Sequence, residues 1–285
     1  MDIERIIAEI DTLEPVSSIG DRMKQVAYNP DSSLRELVDI IKYDQGMTAN
    51  ILRICNSSYF GLKKRIVSIK QAVAYLGVEK VACLVMMGSS AGNFKKAQSG
   101  YDLDEGELWK YSVSSALIAQ DLAEKLNPNN ISLIFTTALL KDIGKVILHD
   151  YVRDSFKEII EAVREKGLAF MDAEKEIIGI DHAELGARVA ERWRFDPEMV
   201  NIIRHHHSPN KADTGNRSLP IIYLADSICM MIGIGVGSDG LSYRYYQEVM
   251  DRLNFSDVDL QRVIADFWEK LKGVEELVTL SQGDE

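Results

Sequence analysis

Residues 132–147 read SLIFTTALLKDIGKVI and carry the strongest structural signal in the chain. The apolar side chains of this stretch recur at spacings of three and four, as on one face of an α-helix: Ile134, Phe135, Ala138 and Leu139. Ser132 is of a residue type that commonly caps a helix N-terminus. The stretch therefore predicts one mostly apolar helix, from Ser132 to about Ile147, which lies at the centre of the fold.

Helix signals of the same kind occur on both sides of this stretch. Capping boxes, in which Ser or Asp precedes Glu or Gln by three residues, open helices at Ser33, Ser68 and Asp181. Asp196 followed by Pro197 is a further start signal, because proline is tolerated at the first helical position. The longer amphipathic segments are 107–126, 156–164, 219–232, 243–253 and 258–280. Alternating β-branched runs are few, so the chain is predicted to be all-α.

The composition limits both the number of domains and the class of partner. The chain has 285 residues, with 33 Lys plus Arg against 44 Asp plus Glu, and a formal net charge of −11. This length allows one large or two modest domains. Residues 94–107 include Gly100 and Gly106 and several polar side chains, which predicts a linker between two helical halves. The acidic excess argues against a nucleic-acid partner, because affinity for phosphate backbones comes mainly from Lys and Arg.

Cysteine usage and hydropathy indicate the expected compartment. Cys55, Cys83 and Cys229 are widely spaced, which favours buried thiols over a disulfide framework or a Cys-rich zinc site. No segment reaches the ~18 uninterrupted apolar residues that are needed to span a bilayer. Residues 1–5 lack the basic start of a secretory signal. We therefore expect a cytoplasmic protein without membrane insertion.

Two clusters have the composition of a functional site. Asp142 falls inside the apolar stretch, and a buried carboxylate is costly unless it is paired or bound to a cation. The second cluster contains His205, His206 and His207. Adjacent residues of a helix project about 100° apart, so these three histidines are not expected to face one site together.

The first cluster resembles the signature of a known superfamily. Residues 139–145, LLKDIGK, resemble the LLHDIGK signature of the HD-domain metal phosphohydrolases, with Lys141 in place of the signature histidine. Residues 108–112, LWKYS, resemble the opening segment of that superfamily, in which Tyr111 replaces a ligand histidine. His182, the pair of His206 and His207, and Asp226 resemble the later motifs in the same order: HAELG at 182–186, HH at 206–207 and AD at 225–226.

The first half of the chain narrows the resemblance to one family. Residues 44–60, DQGMTANILRICNSSYF, resemble the core motif of the HDOD family, the HD-related output domain. Residues 68–77, SIKQAVAYLG, resemble the helix that follows this motif in the family. The resemblance covers nearly the whole chain. It implies an N-terminal helical bundle, residues 1–97, packed on a C-terminal HD-like helical domain, residues 98–285.

The resemblance implies His and Asp side chains that converge on one or two metal ions. Tyr111 and Lys141 occupy two of those positions, and a protonated lysine has no lone pair to give a metal. We hypothesise a degenerate site of Tyr111, Lys141, Asp142 and Asp226, in which the Lys141 ammonium neutralises Asp142 or Asp226. With such a site, we expect that no residue is catalytic and that no cofactor is bound.

A single residual metal is the alternative. Its ligands would be a carboxylate and imidazoles of the kind that hold iron, manganese or zinc: Asp142, His182, His206 and His207. The opposite interpretation is that His182 is not a metal ligand but an exposed residue at the first turn of its helix. Both interpretations stay open here, as does the choice among His205, His206 and His207 for the residue that faces the site.

The resemblance leads to three alternative hypotheses for the function. The first is a non-catalytic output module of bacterial signal transduction, which contacts sensor, receiver or effector proteins. The second is a metal-dependent phosphohydrolase that acts on a nucleotide or cyclic dinucleotide with a reduced ligand set. The third is a sensor that binds a nucleotide without turnover, through Lys141 and the histidines. The residues Tyr111 and Lys141 favour the first function, so we expect a pseudo-enzyme.

Overall fold

A computed structural model describes residues 6, 51–52, 55–56, 66–77, 81, 96–126, 131–192, 195–211, 216–240 and 247–282. Within these residues all regular secondary structure is helical, apart from one antiparallel bridge between Gln98 and Leu103. The predicted all-α fold class is therefore confirmed. None of the helices in these ranges combines the length and the apolar character that crossing a bilayer requires.

Eleven α-helices have both ends within the described residues. They are α1 (Ile69–Leu76), α2 (Glu107–Leu126), α3 (Ile131–Leu140), α4 (Ile143–Asp154), α5 (Phe156–Lys166), α6 (Phe170–Ile177), α7 (His182–Arg192), α8 (Pro197–His205), α9 (Ser218–Met231), α10 (Gln247–Leu253) and α11 (Asp257–Gln282). Short 3-10 helices lie at Ser99–Tyr101, Pro209–Lys211 and Ser238–Gly240. The predicted segments at 107–126, 156–164, 219–232, 243–253 and 258–280 correspond to α2, α5, α9, α10 and α11.

The chain forms two compact units. The first comprises Met1–Asp11 and Lys96–Asp266, and the second comprises Thr12–Lys95 and Phe267–Glu285. The first unit contains α2 to α10. In it, α2 packs along α3 and α9, while α7 packs against α4 and α8. The domain boundaries that we expect from the sequence, residues 1–97 and 98–285, stay a prediction.

The N-cap at Ser68 in the second unit is confirmed, but Gln71 accepts from Val67 rather than from the Ser68 N–H of a complete capping box. The Gln71 backbone N–H donates to Ser68 Oγ at 3.3 Å, and the Val67 N–H donates to Gln71 Oε1 at 2.9 Å. Helix α1 ends at Leu76, and its C-cap Gly77 has a φ of +88°, in a region that glycine adopts without steric cost. Ser33 and Cys83 lie outside the described residues.

Asn56, from the HDOD-like motif, ties two segments of the second unit together. Its Nδ2 donates to Leu52 O and to Ile66 O, both at 2.7 Å. Its Oδ1 accepts from the Ile66 N–H at 2.7 Å. The side chain therefore connects the helical turn at Leu52 to the backbone of Ile66.

The single central helix predicted over 132–147 is wrong, because the stretch forms two helices. α3 ends at Leu140 and α4 begins at Ile143, with Lys141 and Asp142 in the turn between them. The backbone of Asp142 has φ −94° and ψ 13°, and its carboxylate makes ion pairs with Lys141 and Lys145. We attribute the break to these buried ion pairs. They place Asp142 between two helices rather than within one.

The segment predicted as a linker at 94–107 is closely packed where the structure describes it, over 96–106, and the division between the two units falls between Lys95 and Lys96. Tyr101 and Leu103 are buried, and Gln98 and Leu103 pair through their backbones. Gly100 lies so close to α4 that a Cβ there would be 2.0 Å from the His149 carbonyl oxygen. The small residues that suggested a linker instead permit close packing.

Candidate functional site

A buried cluster of charged, tyrosine and imidazole side chains lies in the first unit. Its members are Tyr111 on α2, Lys141 and Asp142 in the α3–α4 turn, Lys145 on α4, Glu174 on α6, His182 on α7, His206 and His207 after α8, and Asp226 on α9. Except for His207, each residue is at most 2% exposed. The side chain of His207 is 14% exposed.

Lys141 lies between two carboxylates. Its Nζ contacts Asp142 Oδ2 and lies 2.5 Å from Asp226 Oδ1. The expected ion pair is thus present, and it includes both aspartates rather than one. Tyr111 Oη donates to Asp226 Oδ1 at 2.6 Å, and the Tyr111 ring centroid lies 4.5 Å from Lys141 Nζ. This ring adds a cation–π contact to the ion pairs.

Lys145 is a second buried cation, which the sequence reasoning missed. Its Nζ lies 2.8 Å from Asp142 Oδ1 and 5.6 Å from the ring centroids of both Tyr101 and Tyr111. Its place one turn after Asp142 was a usable signal, since helical residues three apart share a face. A lysine is nevertheless rarely buried unless it is paired, so the local sequence favoured an exposed side chain.

The opposite charges hold each other ionised inside the cluster. Burial is the largest single influence on Asp142 and Asp226 and acts to raise their pKa values, but the neighbouring positive groups, with Lys141 first among them, together outweigh burial and lower both pKa values. Burial likewise acts to lower the pKa of Lys141, and the two carboxylates outweigh it and raise that pKa. All three groups are therefore charged at neutral pH.

Glu174 orients His182. The Glu174 Oε2 accepts from His182 Nδ1 at 2.7 Å and from the His182 backbone N–H at 3.2 Å, while Tyr101 Oη donates to Oε1 at 2.6 Å. Burial acts to lower the pKa of His182, but the Glu174 carboxylate outweighs burial and raises it. At 1% exposure, His182 is not the surface residue of the alternative interpretation. Its Nε2 faces the cluster.

The sequence reasoning also missed α6 and its Glu174. Phe170, Ala173 and Glu174 are the buried residues of this helix, at helical spacings of three and four. An acid on the apolar stripe of a helix was the available signal, because burying an unpaired carboxylate is costly. Its partner His182 is eight residues away and begins the next helix, whereas Tyr101 is 73 residues away.

The three consecutive histidines do not lie on one helix. α8 ends at His205, and the backbone leaves the helix at His206 and His207. The adjacent imidazoles of His206 and His207 both enter the cluster. His206 Nδ1 lies 2.7 Å from Ile203 O, and His182 Nε2 lies 3.0 Å from His207 Nε2.

Four side chains of the cluster have the arrangement of a metal-ligand group. Ligand atoms of Asp142, His182, His206 and His207 all lie within 4.8 Å of one another. Among the described residues, the buried His206 Nε2 has no hydrogen-bond partner, and it lies 3.8 Å from Asp142 Oδ1. Three imidazoles and a carboxylate fit iron, manganese or zinc. The ammonium groups of Lys141 and Lys145 contact both oxygens of the same Asp142 carboxylate.

Acid is expected to destabilise the protein through His206. Burial lowers the pKa of His206 from 6.5 to about 3, so between these values the unfolded chain binds a proton that the folded chain does not. This contribution to stability is complete above pH 6.5 and is lost as the pH falls, at about 1.4 kcal/mol per pH unit. The variant His206→Asn keeps a hydrogen-bond donor for Ile203 O. It should remove the contribution of His206 to the pH dependence of the free energy of unfolding. Urea unfolding from neutral to acidic pH checks it, and equal slopes for the two proteins would contradict the prediction.

Comparison with known proteins identifies a family and a fold. The profile of the HDOD domain family matches residues 13–209. An uncharacterized protein of Treponema pallidum (strain Nichols) is 26% identical over 204 residues, which make up 71% of this chain. The chain spans about two fifths of that relative, since the match covers 39% of it.

Solved structures with the same fold cover almost the whole chain. An HDOD domain protein of unknown function from Geobacter sulfurreducens matches with a TM-score of 0.73 and 24% identity, over 97% of this chain and 99% of that one. A candidate phosphohydrolase from Shewanella amazonensis SB2B matches with a TM-score of 0.73 and 24% identity, over 96% of this chain and 97% of its own. A candidate signal transduction protein from Marinobacter aquaeolei VT8 has a TM-score of 0.76 at 20% identity, over 99% of this chain and 65% of that one.

Proposed function

Because the chain belongs to the HDOD domain family, we propose that it is a non-catalytic output module of bacterial signal transduction that acts through protein contacts. The observation that carries this proposal is the position of Lys141. Its ammonium is fully buried and paired with both Asp142 and Asp226, the two acidic positions of the HD-like motifs. The lysine thus supplies, from the chain itself, a positive charge between these acids.

The contacts of the carboxylates support a pseudo-enzyme. At least three of the four oxygens of Asp142 and Asp226 contact a tethered donor, which is Lys141, Lys145 or Tyr111. Metal-assisted hydrolysis needs carboxylate lone pairs that bind the ion and an open position for water or phosphate. An ammonium group donates hydrogen bonds, but it neither coordinates water as a Lewis acid nor lowers its pKa as a bound metal ion does.

Turnover assays on the purified chain test the proposal. With added Mn²⁺, Fe²⁺ or Zn²⁺, the wild type should hydrolyse bis-p-nitrophenyl phosphate, nucleotides and cyclic dinucleotides no faster than buffer does. The double variant Tyr111→His, Lys141→His restores the HD-like residues and should gain metal binding. Metal-dependent turnover by the wild type that Asp142→Ala abolishes would overturn the proposal.

Protein contact is tested separately from turnover. Chemical crosslinking in cells that express the full chain should recover sensor, receiver or effector proteins of a signalling pathway. Urea-unfolded chain carrying the same tag is the control for adsorption to exposed apolar surface. Recovery of the same proteins by both samples would contradict a specific contact.

A metal-dependent phosphohydrolase or a nucleotide sensor is the second candidate function. The unpartnered His206 Nε2, in a group with Asp142, His182 and His207, favours it. In this case those four residues would hold one iron, manganese or zinc ion, which would polarise a phosphate oxygen. Metal analysis of protein purified without a histidine tag distinguishes the candidates, because a stoichiometry near zero excludes a resident metal. A thermal-shift screen of nucleotides tests the sensor, since a ligand that prefers the folded state raises Tm.

A further inference from the structure

The hydrogen bonds of His182 and His206 determine which nitrogen of each ring carries the proton. His182 Nδ1 lies 2.7 Å from Glu174 Oε2, and His206 Nδ1 lies 2.7 Å from Ile203 O. Both partners are acceptors, so Nδ1 carries the hydrogen and the neutral imidazole keeps its lone pair at Nε2. Histidines that bind metal ions usually have this arrangement, because an acceptor at the second nitrogen orients the ring and raises its basicity.

The Nε2 atoms of these two rings lie beside a third imidazole. His182 Nε2 lies 3.0 Å from His207 Nε2, and the ring centroids of His206 and His207 are 4.0 Å apart. Nitrogen ligands that lie about 2.0–2.1 Å from a tetrahedral zinc ion are roughly 3.4 Å from one another. The spacing of His182 and His207 is therefore close to that of two ligands of one ion. The buried His206 Nε2 makes no hydrogen bond to the described residues, and a cation bound there would satisfy it.

Asp142 lies next to the three imidazoles, but both of its oxygens already have cationic partners. Lys141 Nζ contacts Asp142 Oδ2, and Lys145 Nζ lies 2.8 Å from Asp142 Oδ1. A metal ion bound to Oδ1 would share that oxygen with the Lys145 ammonium, and like charges repel each other strongly in a buried site. The carboxylate therefore stays with the lysines, and the imidazoles provide the remaining ligand atoms.

His207 gives an ion access to this group. Its side chain is 14% exposed, whereas His182 and His206 are at most 1% exposed. His182 begins α7, and His206 and His207 follow α8. An ion bound to all three rings would therefore link the start of α7 to the turn after α8.

We propose that His182, His206 and His207 bind one transition-metal ion through their imidazoles alone, without a carboxylate ligand from the chain. The ion belongs to the class that prefers imidazole, such as Zn²⁺ or Ni²⁺, rather than to the class of Mg²⁺ and Mn²⁺, which prefers carboxylates. This site goes beyond the proposed function, because an ion that links two helices needs no turnover. It also differs from the four-ligand metal of the second candidate function, because Asp142 stays with its lysines.

Titration of the full chain with Co²⁺, a probe for zinc sites, tests the proposal. The protein carries no histidine tag and is first freed of metal by a chelator, and binding is followed by the visible absorption bands of bound Co²⁺. The wild type should bind one ion per chain, and Zn²⁺ should displace it. A wild type that binds neither ion would overturn the proposal.

Two variants test the imidazole ligands. His206→Asn removes Nε2 and should weaken binding by more than about 100-fold, since the loss of even an outer partner of a ligand costs roughly 10–100-fold. Glu174→Gln leaves all three rings in place and should weaken binding by about 10–100-fold, because it changes the acceptor of His182 Nδ1. Unchanged affinity in either folded variant would overturn the proposal.

The double variant Asp142→Asn, Lys145→Met decides whether the carboxylate is a ligand. It removes one negative and one positive charge, so the net charge of the cluster is unchanged, and Lys141 keeps its contact with Asp226. The Co²⁺ affinity should stay within about fivefold of the wild-type value, below the roughly tenfold loss of an outer partner. A loss as large as that of His206→Asn would identify Asp142 as a ligand and would overturn the proposal.

His205→Asn is the matched control, because His205 precedes His206 and lies outside the metal-ligand group of the described residues. It should leave the Co²⁺ affinity unchanged. An equal loss in His205→Asn and His206→Asn would show adventitious binding and would overturn the proposal. None of these measurements involves turnover. Hydrolysis by the wild type would thus defeat the proposed function and leave this site to the metal affinities, whereas a wild type without metal affinity would defeat this site alone among the two.

Discussion

Lys141→Met is expected to lower the free energy of unfolding by about 3–5 kcal/mol, the usual cost of removing one partner of a buried ion pair. The variant leaves Asp226 with Tyr111 as its hydrogen-bond donor and Asp142 with Lys145 as its cation. Two carboxylates then face each other in a buried site without the charge that separated them. Urea unfolding at neutral pH, followed by circular dichroism, measures the loss.

Two further variants make this result specific. Lys157→Met removes a lysine whose side chain is 86% exposed, and it should change stability by less than about 0.5 kcal/mol. Adding Asp226→Asn to Lys141→Met removes the uncompensated charge and should recover more than half of the loss. A Lys141→Met protein as stable as the wild type would contradict the central role of Lys141.

Gly144→Ala is expected to destabilise the protein by about 3 kcal/mol or more, at the upper end of overpacking costs. A Cβ at Gly144 would lie 2.0 Å from His182 O and 2.8 Å from Gly186 N. Both atoms are backbone, so no side-chain rotation relieves the clash, and α4 and α7 must separate. The same movement would draw Asp142 away from His182. Chemical unfolding reports the cost, and the ring NMR signals of His182 report the displacement.

Gly186→Ala is the matched control on the opposite helix. Its Cβ would approach Ile203 Cγ2 to 3.2 Å and Gly144 N to 3.3 Å, distances that small adjustments relieve. Alanine is also favoured over glycine in a helix by roughly 1 kcal/mol. We therefore expect a net change within about 1 kcal/mol. A Gly186→Ala variant as unstable as Gly144→Ala would show that the close contact between α4 and α7 does not depend on Gly144 in particular.

Most of the helical architecture was predictable from local patterns. The limits of α2 are the predicted residues 107 and 126, and the start signals at Ser68, Asp181 and Asp196 each precede a helix. These signals act within one or two turns, through backbone N–H groups and apolar periodicity. The prediction was wrong where a buried charge interrupts the pattern, at the turn of Lys141 and Asp142.

The candidate site was predictable in part. The motif resemblance supplied the residues that meet in the cluster, including Tyr111, Lys141 and Asp226. It included Lys145 in the signature without giving it a role. It did not supply Glu174 or Tyr101, because neither lies in a quoted motif and each gains its role from contacts between elements. Burial of both Asp142 and His206 likewise depends on contacts between elements.

The amino-acid sequence by itself determined that the chain is helical, where most helices begin, and that a lysine stands at the histidine position of an HD-like motif. Only the tertiary structure decided that Lys141 pairs with two aspartates, and that Glu174 and Tyr101 support His182. Tyr111 and Asp226, for example, are 115 residues apart in the sequence and share a 2.6 Å hydrogen bond. Helix formation depends on neighbours within a few residues, whereas the energy of a buried charge depends on whichever charges the fold brings beside it.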